Sequence, residues 1–518
     1  MRFLVLSTHD SFPFLNKPEW KDCLILHSDN WDDWFIWSTQ YYLQYFDSEG
    51  EKFDIGAVKI GSVHMNNETR RPDLPESFSS LDVEFFSVGQ TEDYYTNINA
   101  LGSSIRDEIL DGLRDVAKNP SRIQSLKGNE VFTRSLMRTV PFNVLEGRFT
   151  RLARGDARLT KYKFSYAPPE AFSDIPGGTE LSFEIIPQSE PPTNIHVLVG
   201  RNGVGKTHYL KLIQMALIHK NGPLTGRLNA DSSNEDDGLF ANLISVSFSA
   251  FDPFDELPVP PSEFDGVSFS YVGLKKPDKD DDTKWSTTPK AVAELLEEFV
   301  DSLRAIKKAA QIKRWGEAIE LLQSDPVFRA TDVAGLAEPE SFDSQKSWVE
   351  FAKSIFSRLS SGHKIVLLTI TRLVEDVVER SLILLDEPES HLHPPLLSAF
   401  VRTLSNLMIK RNGVAIVATH SPVVLQEVPR SCVWKLWRSG TSTTAERPET
   451  ETFGENIGVL TREVFGLEVT QSGFHKMISD AASGVTFDAV VDRFEGQLGS
   501  EALSITRTLT TNPRDKDE

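Results

Sequence analysis

The stretch Ile195-His-Val-Leu-Val-Gly-Arg-Asn-Gly-Val-Gly-Lys-Thr207 decides the fold. Ile195 to Val199 is an apolar strand signal, and the residues after it fit the pattern GxxxxGK[ST]. From His208 to Lys220 the apolar positions recur at helical spacing. Strand, glycine-rich turn and helix in that order make a phosphate cradle. Gly200, Arg201, Asn202, Gly203, Val204 and Gly205 would turn their backbone N–H groups inward at the positive end of the helix. Lys206 would reach the β- and γ-phosphates, and the Thr207 hydroxyl would ligate Mg²⁺. ATP with Mg²⁺ is the ligand pair that this chemistry suits.

Working outward, Leu382-Ile-Leu-Leu-Asp-Glu-Pro388 reads as a buried strand ending in two adjacent carboxylates. Side chains alternate along a strand, so the two cannot play the same part: Asp386 would hold Mg²⁺ through a water, and Glu387 would polarise the attacking water. Upstream, Leu359-Ser-Ser-Gly-His363 precedes a long apolar helix, and taken alone it is an N-cap in which Ser360 or Ser361 accepts helix N–H bonds. Val414-Ala-Ile-Val-Ala-Thr-His-Ser-Pro422 adds one more buried strand ending in a polar turn at His420.

These motifs, in this order from Gly200 to Pro422, resemble an ABC-type ATPase head of the RecF, SMC and OLD branch. The branch features are Gly-Arg-Asn-Gly in the phosphate turn, Asp-Glu-Pro-Glu-Ser-His-Leu-His-Pro from Asp386, and Thr-His-Ser-Pro at the switch. Phe248-Ser-Ala-Phe-Asp-Pro-Phe254, Thr452-Phe-Gly-Glu-Asn456 and Leu460-Thr-Arg-Glu-Val-Phe465 look similar to ATPases of bacterial anti-phage operons, of the PtuA type found in Septu systems. The resemblance implies an α/β fold: a P-loop head with a mixed sheet and flanking helices at 160–435, with an insertion at about 222–345. An N-terminal α+β domain at 1–125 and a small helical C-terminal extension at 436–518 complete the expected layout.

The resemblance further implies catalytic roles for Glu387, Lys206 and His420. It also makes LSSGH a variant of the signature LSGGQ, in which Ser360 and Gly362 close on the γ-phosphate of ATP held by another subunit. The expected assembly is a homodimer, or a higher oligomer of dimers, around two ATPs. It would act as sensor and regulator of a separate effector such as an HNH nuclease in anti-phage defence. A RecF-like DNA-binding ATPase in repair is the alternative. Two departures stand out. No Gln lies between Gln214 and Gln311 to act as the family's magnesium sensor, which leaves Ser249 and Asp252 as candidates and slow hydrolysis as the expectation. The span from Thr207 to Leu359 has no room for a long coiled coil, and the residues after His420 lack the acidic constellation of a nuclease.

The 518 residues allow about two to four domains. No apolar run is long enough to span a membrane, and no signal peptide is evident at the N-terminus. Cys23 and Cys432 stand far apart, which suits a reducing compartment, and the expected location is the cytoplasm. A formal charge of −20 repels polyanions overall, so nucleic acid would need a local patch. Residues 122–163 offer one, with ten basic residues against three acidic. Arg148, Arg151, Arg154 and Arg158 lead it, with pairing to acidic residues elsewhere in the chain as the competing reading. The tryptophan-dense SDNWDDWFIW at 28–37 reads as core. His391 and His393 lie near Asp386, Glu387 and Glu389 in sequence. There an interface loop is the expectation and a transition-metal centre is not.

Overall fold

The computed structural model describes residues 1–6, 20–29, 36–66, 69–142, 144–155, 161–169, 180–219, 222–230, 239–248, 262–264, 267–278, 284–286, 288–439, 442–465 and 473–511. Ser249, Asp252, Arg158 and most of Phe248 to Phe254 fall outside them, as do Trp31 and Trp34; Trp37 is buried as expected.

Among the described residues three sheets organise the chain. The first runs β5-β1-β2-β3-β4-β6, with β1 Arg2–Leu6, β2 Cys23–Ser28, β3 Gln40–Phe46, β4 Lys52–Ser62, β5 Ser77–Phe78 and β6 Phe85–Gly89. Its core runs on through helical turns to Ala153, past the boundary at 125 expected from sequence, because Val131, Phe132, Leu145 and Phe149 bury their side chains in it. A small antiparallel sheet joins β7 Tyr162–Ala167, β8 Leu181–Ile185 and β10 Arg227–Ala230.

The central sheet runs β12-β13-β11-β14-β15-β9-β16-β17. Its strands are β9 Ile195–Val199, β11 Asn242–Ser247, β12 Ser262–Phe264, β13 Val267–Gly273, β14 Ser381–Asp386, β15 Val414–Thr419, β16 Val433–Ser439 and β17 Ser442–Glu446. From β13 to β16 every pairing is parallel, and β12 and β17 close the edges antiparallel. The stretch 222–345, set apart in the sequence as an insertion, thus supplies β11 and β13 to the middle of the sheet.

Both faces of the parallel strands are covered, which is why these strands are continuously apolar rather than alternating. Ile383 and Leu385 of β14 join the core under the helices Val292–Lys308, Ser361–Asp376 and Pro394–Lys410. Leu382 and Leu384 join the core under the helix Lys206–Ile218. The pairing register aligns Ser247 with Asp386, Asp386 with Ala418, and Val199 with Thr419. The carboxyl ends of β9, β11, β14 and β15 therefore lie along one edge, where open α/β sheets place their ligands. One strand, β15, separates the phosphate-turn strand from the carboxylate strand.

Candidate nucleotide-binding site

At that edge a cavity of about 430 Å³ is lined by Asn202, Gly203, Gly205, Lys206, Thr207, Gln214, Ser245, Ser247, Asp386 and Glu387, among others. The turn after β9 builds one wall. Gly205 has φ +100°, a left-handed conformation open to glycine at no steric cost, and it starts the helix Lys206–Ile218, whose first residues Lys206, Thr207 and His208 line the cavity. Lys206 is 4% exposed. Its Nζ donates to Gly200 O (3.0 Å) and Arg201 O (3.2 Å) and lies 4.0 Å from Glu387 Oε1. Burial lowers its pKa, and the nearby carboxylates of Glu387, Asp386 and Glu389 work against that by favouring the charged form. Arg201 stacks over Trp437 with 5.5 Å between guanidinium and ring centroid, which ties the turn to β16.

Opposite, Asp386 ends β14 and Glu387 leaves the strand in a left-handed conformation at φ 43°, held by its N–H donating to Ala418 O at 2.9 Å. This is a strained position for a non-glycine residue, and it separates the two carboxylates in direction. Thr207, Asp386 and Ser247 supply oxygen donors to the same cavity, a set whose hardness suits Mg²⁺. His420 sits with Nδ1 3.7 Å from Glu387 Oε1 and 3.1 Å from Glu389 Oε1. Glu389 also accepts from Thr419 Oγ1 (2.6 Å) and the His420 N–H (2.8 Å), so it fixes the switch turn.

Sequence reasoning left Glu389 without a role, although it belongs to a motif already singled out. It also left out Gln214 and Ser247. The signal for Gln214 was a lone polar residue on the apolar side of the helix Lys206–Ile218; Ser247 marks where β11 runs out.

The expected signature residues lie apart. Neither Ser360 nor Gly362 is among the described residues lining the cavity. Ser360 is the N-cap of the helix Ser361–Asp376, but its hydroxyl makes no cap bond; it lies 2.7 Å from His363 Nδ1 instead, which corrects the simple N-cap reading. The ring one turn on outcompetes the backbone because it is itself fixed, with His363 Nε2 3.1 Å from Asp325 Oδ1. Gly362 is required by close approach: a Cβ there would stand 2.4 Å from His391 O.

Within the basic stretch Arg148 and Arg151 turn inward, while Lys127, Arg134, Arg138, Arg154, Lys161 and Lys163 stay exposed. Arg148 is buried, pairs with Glu92, and reaches Glu379 O (2.8 Å) and Glu379 Oε2 (3.3 Å); Arg151 pairs with Glu379. Arg411 and Arg314 extend this network to Glu92 (3.0 Å) and Asp93 (3.2 Å). Lys127 pairs with Glu146 at 3.1 Å and Lys161 with Glu184 at 2.6 Å. Arg148 is thereby unavailable to an exposed phosphate-binding patch.

A phosphate turn facing tandem carboxylates across the end of a parallel sheet is the arrangement of a P-loop α/β fold. Residues 289–426 match the AAA_21 family, described as "AAA domain, putative AbiEii toxin, Type IV TA system". The chain belongs to the family of Protein ea59 of Escherichia phage lambda: it is 40% identical over 513 residues, covering 95% of each chain. Solved structures with partial likeness include the ADP conformation of MJ1267, an ATP-binding cassette of an ABC transporter. It shares 14% identity and covers 61% of this chain and 100% of its own, with a TM-score of 0.27. The SMC head domain from Thermotoga maritima shares 15% identity and covers 56% and 100%, with a TM-score of 0.25. Among the described residues no helix is long and apolar enough to cross a membrane.

Proposed function

We propose that this chain binds ATP with Mg²⁺ in the cavity at the sheet edge, hydrolyses it, and uses the cycle to close a dimer that regulates a partner effector, a nuclease in the favoured reading, in anti-phage defence. The carrying observation is that Lys206, Thr207, Asp386 and Glu387, far apart in sequence, line one cavity beside His420. In this reading Gly200 to Gly205 cradle the phosphates, and Lys206 and Thr207 meet the phosphate and the metal. Asp386 orients the metal's water, and Glu387, with His420 against it, orients the attacking water. Mg²⁺ supplies neutralisation of phosphate charge. Ser360 and Gly362, away from their own chain's cavity, complete the site of a second copy.

The division of labour is testable. Lys206→Ala should abolish measurable ATP binding. Glu387→Gln should keep ATP affinity and lower turnover at least about a hundredfold. Equilibrium binding and phosphate release on the same preparations read both, and near-normal turnover in Glu387→Gln would remove Glu387 from the chemistry.

A further inference from the structure

Asp325, His363 and His393 come from three separate segments, yet one ligand atom from each lies within 4.8 Å of the others. Asp325 caps the helix Pro326–Ala330, its Oδ1 accepting from Val327 N (2.8 Å) and Phe328 N (3.3 Å). His363 is on the first turn of the helix Ser361–Asp376, and His393 is the N-cap of the helix Pro394–Lys410. His393 thus faces Asp325, away from the sequence neighbours Asp386 and Glu387.

We propose that Asp325, His363 and His393 bind one borderline divalent transition-metal ion of the Zn²⁺ class beside the signature turn, at a site separate from the nucleotide cavity. His363 Nε2 stands 3.1 Å from Asp325 Oδ1 and His393 Nε2 stands 3.5 Å from Asp325 Oδ2. With bonds of about 2.0–2.1 Å, ligand atoms of a tetrahedral site stand about 3.3 Å apart; each imidazole stands near that spacing from one of the two Asp325 oxygens, and a small turn of the carboxylate brings a single oxygen to both. The third edge closes by rotation of His393, which is half exposed while the other two side chains are buried.

Two imidazoles and one carboxylate form the donor set of open zinc-type sites, too nitrogen-rich for Mg²⁺ or Ca²⁺. An outer shell is present as well: Ser360 fixes the far nitrogen of His363, two backbone N–H groups fix Asp325, and Phe328 packs at 5.3 Å against the His363 ring. One contact opposes the ion. Leu396 N–H leans on His393 Nδ1 at 3.4 Å, a long bond that is given up when Nε2 is taken by metal and Nδ1 carries the proton.

The ion has a consequence for the signature that rests on the dimer reading above. With metal on His363 Nε2, the ring proton sits on Nδ1 and is donated to Ser360 Oγ, which frees the Ser360 hydrogen to point at an incoming phosphate. Without metal, Nε2–H serves Asp325, and Nδ1 accepts the Ser360 proton.

The test is Co²⁺ titration of the untagged, chelator-treated full chain in the absence of nucleotide, followed by visible absorption, with Zn²⁺ as competitor. One equivalent of Co²⁺ with tetrahedral bands is expected, displaced by Zn²⁺. His393→Gln, at an exposed position, should weaken binding at least about tenfold, and Asp325→Asn likewise. His391→Gln should leave it within about twofold, and Ser360→Ala, which removes the group that orients His363, should weaken it about tenfold. Lys206→Ala should titrate like the parent, so failure of the nucleotide reading is distinguishable from failure of this one. Absence of bands, or a His391→Gln loss equal to that of His393→Gln, would overturn the site and leave Asp325 as a helix cap bonded to two histidines.

Discussion

Gln214 is 2% exposed, lines the nucleotide cavity, and its Nε2 finds no hydrogen-bond partner among the described residues. A buried donor left unsatisfied costs about 1–3 kcal/mol, and such a group in a ligand cavity is explained when the ligand supplies the acceptor. Gln214→Leu should therefore raise the ATP dissociation constant about tenfold without lowering the melting temperature of nucleotide-free protein; isothermal titration and calorimetry check the two halves. In the N-terminal core, Asp115 is buried beside Tyr95, whose hydroxyl donates to it at 3.1 Å, and burial pushes its pKa up to about 7 from 3.8. The folded pKa is raised, so this group's contribution is fully present below about pH 4 and is lost as pH rises through 7. Between pH 5 and pH 8.5 the stability of the parent should fall relative to Asp115→Asn by about 3 kcal/mol, measured by urea unfolding at both values. Parallel pH profiles for the two proteins would contradict a buried, neutral Asp115.

At the scale of elements, the helix Ser361–Asp376 is placed by Gly362, whose missing side chain lets the helix start press on the His391 carbonyl. The turn Pro388–His391 that it presses on follows Glu387 directly, so one contact links the signature helix to the carboxylate strand. Gly362→Ala should cost about 1–3 kcal/mol of stability as the helix shifts away, and should lower ATP turnover because that turn also carries Glu389. Unchanged unfolding midpoint and turnover would show that the contact relaxes freely. The π-helical turn Val144–Phe149 is the other element with a specific task. Its winding carries Arg148 into the space between the N-terminal core and the strand β14, where Glu92 and Glu379 meet it.

At the scale of the whole molecule, that buried ion network joins the N-terminal layer to the P-loop head, alongside contacts such as Lys52–Glu340 and Asn97–Ala310. Removing one partner leaves buried charges uncompensated, and burial already disfavours the charged form of Arg148. Arg148→Ala should destabilise the chain by about 3–5 kcal/mol and separate the unfolding of the two layers, visible as a broadened or double calorimetric transition. A sharp, unshifted transition would mean that the layers hold together without it. The assembly carries its own prediction. Ser360→Arg should leave ATP binding intact and block ATP-dependent dimer formation, read by sedimentation with the Glu387→Gln background slowing turnover. Normal hydrolysis by a monomeric Ser360→Arg chain would sink the composite site.

The phosphate turn from Gly200 to Thr207, the paired carboxylates at Asp386 and Glu387, and the buried-strand character of β9, β14 and β15 were legible in the sequence. Each depends on contiguous residues, where backbone sterics, strand alternation and helix start signals act locally. Local signals could not show that β11 sits beside β14 and delivers Ser247 to Asp386, because strand order and register are settled by which faces get buried. Nor could they show that Asp325 meets His363, that Glu389 holds His420, or that Arg148 turns inward to Glu92 rather than outward to a polyanion. Those are pairings across tens of residues, chosen when packing removes charged groups from water and forces each to find the nearest compensating partner.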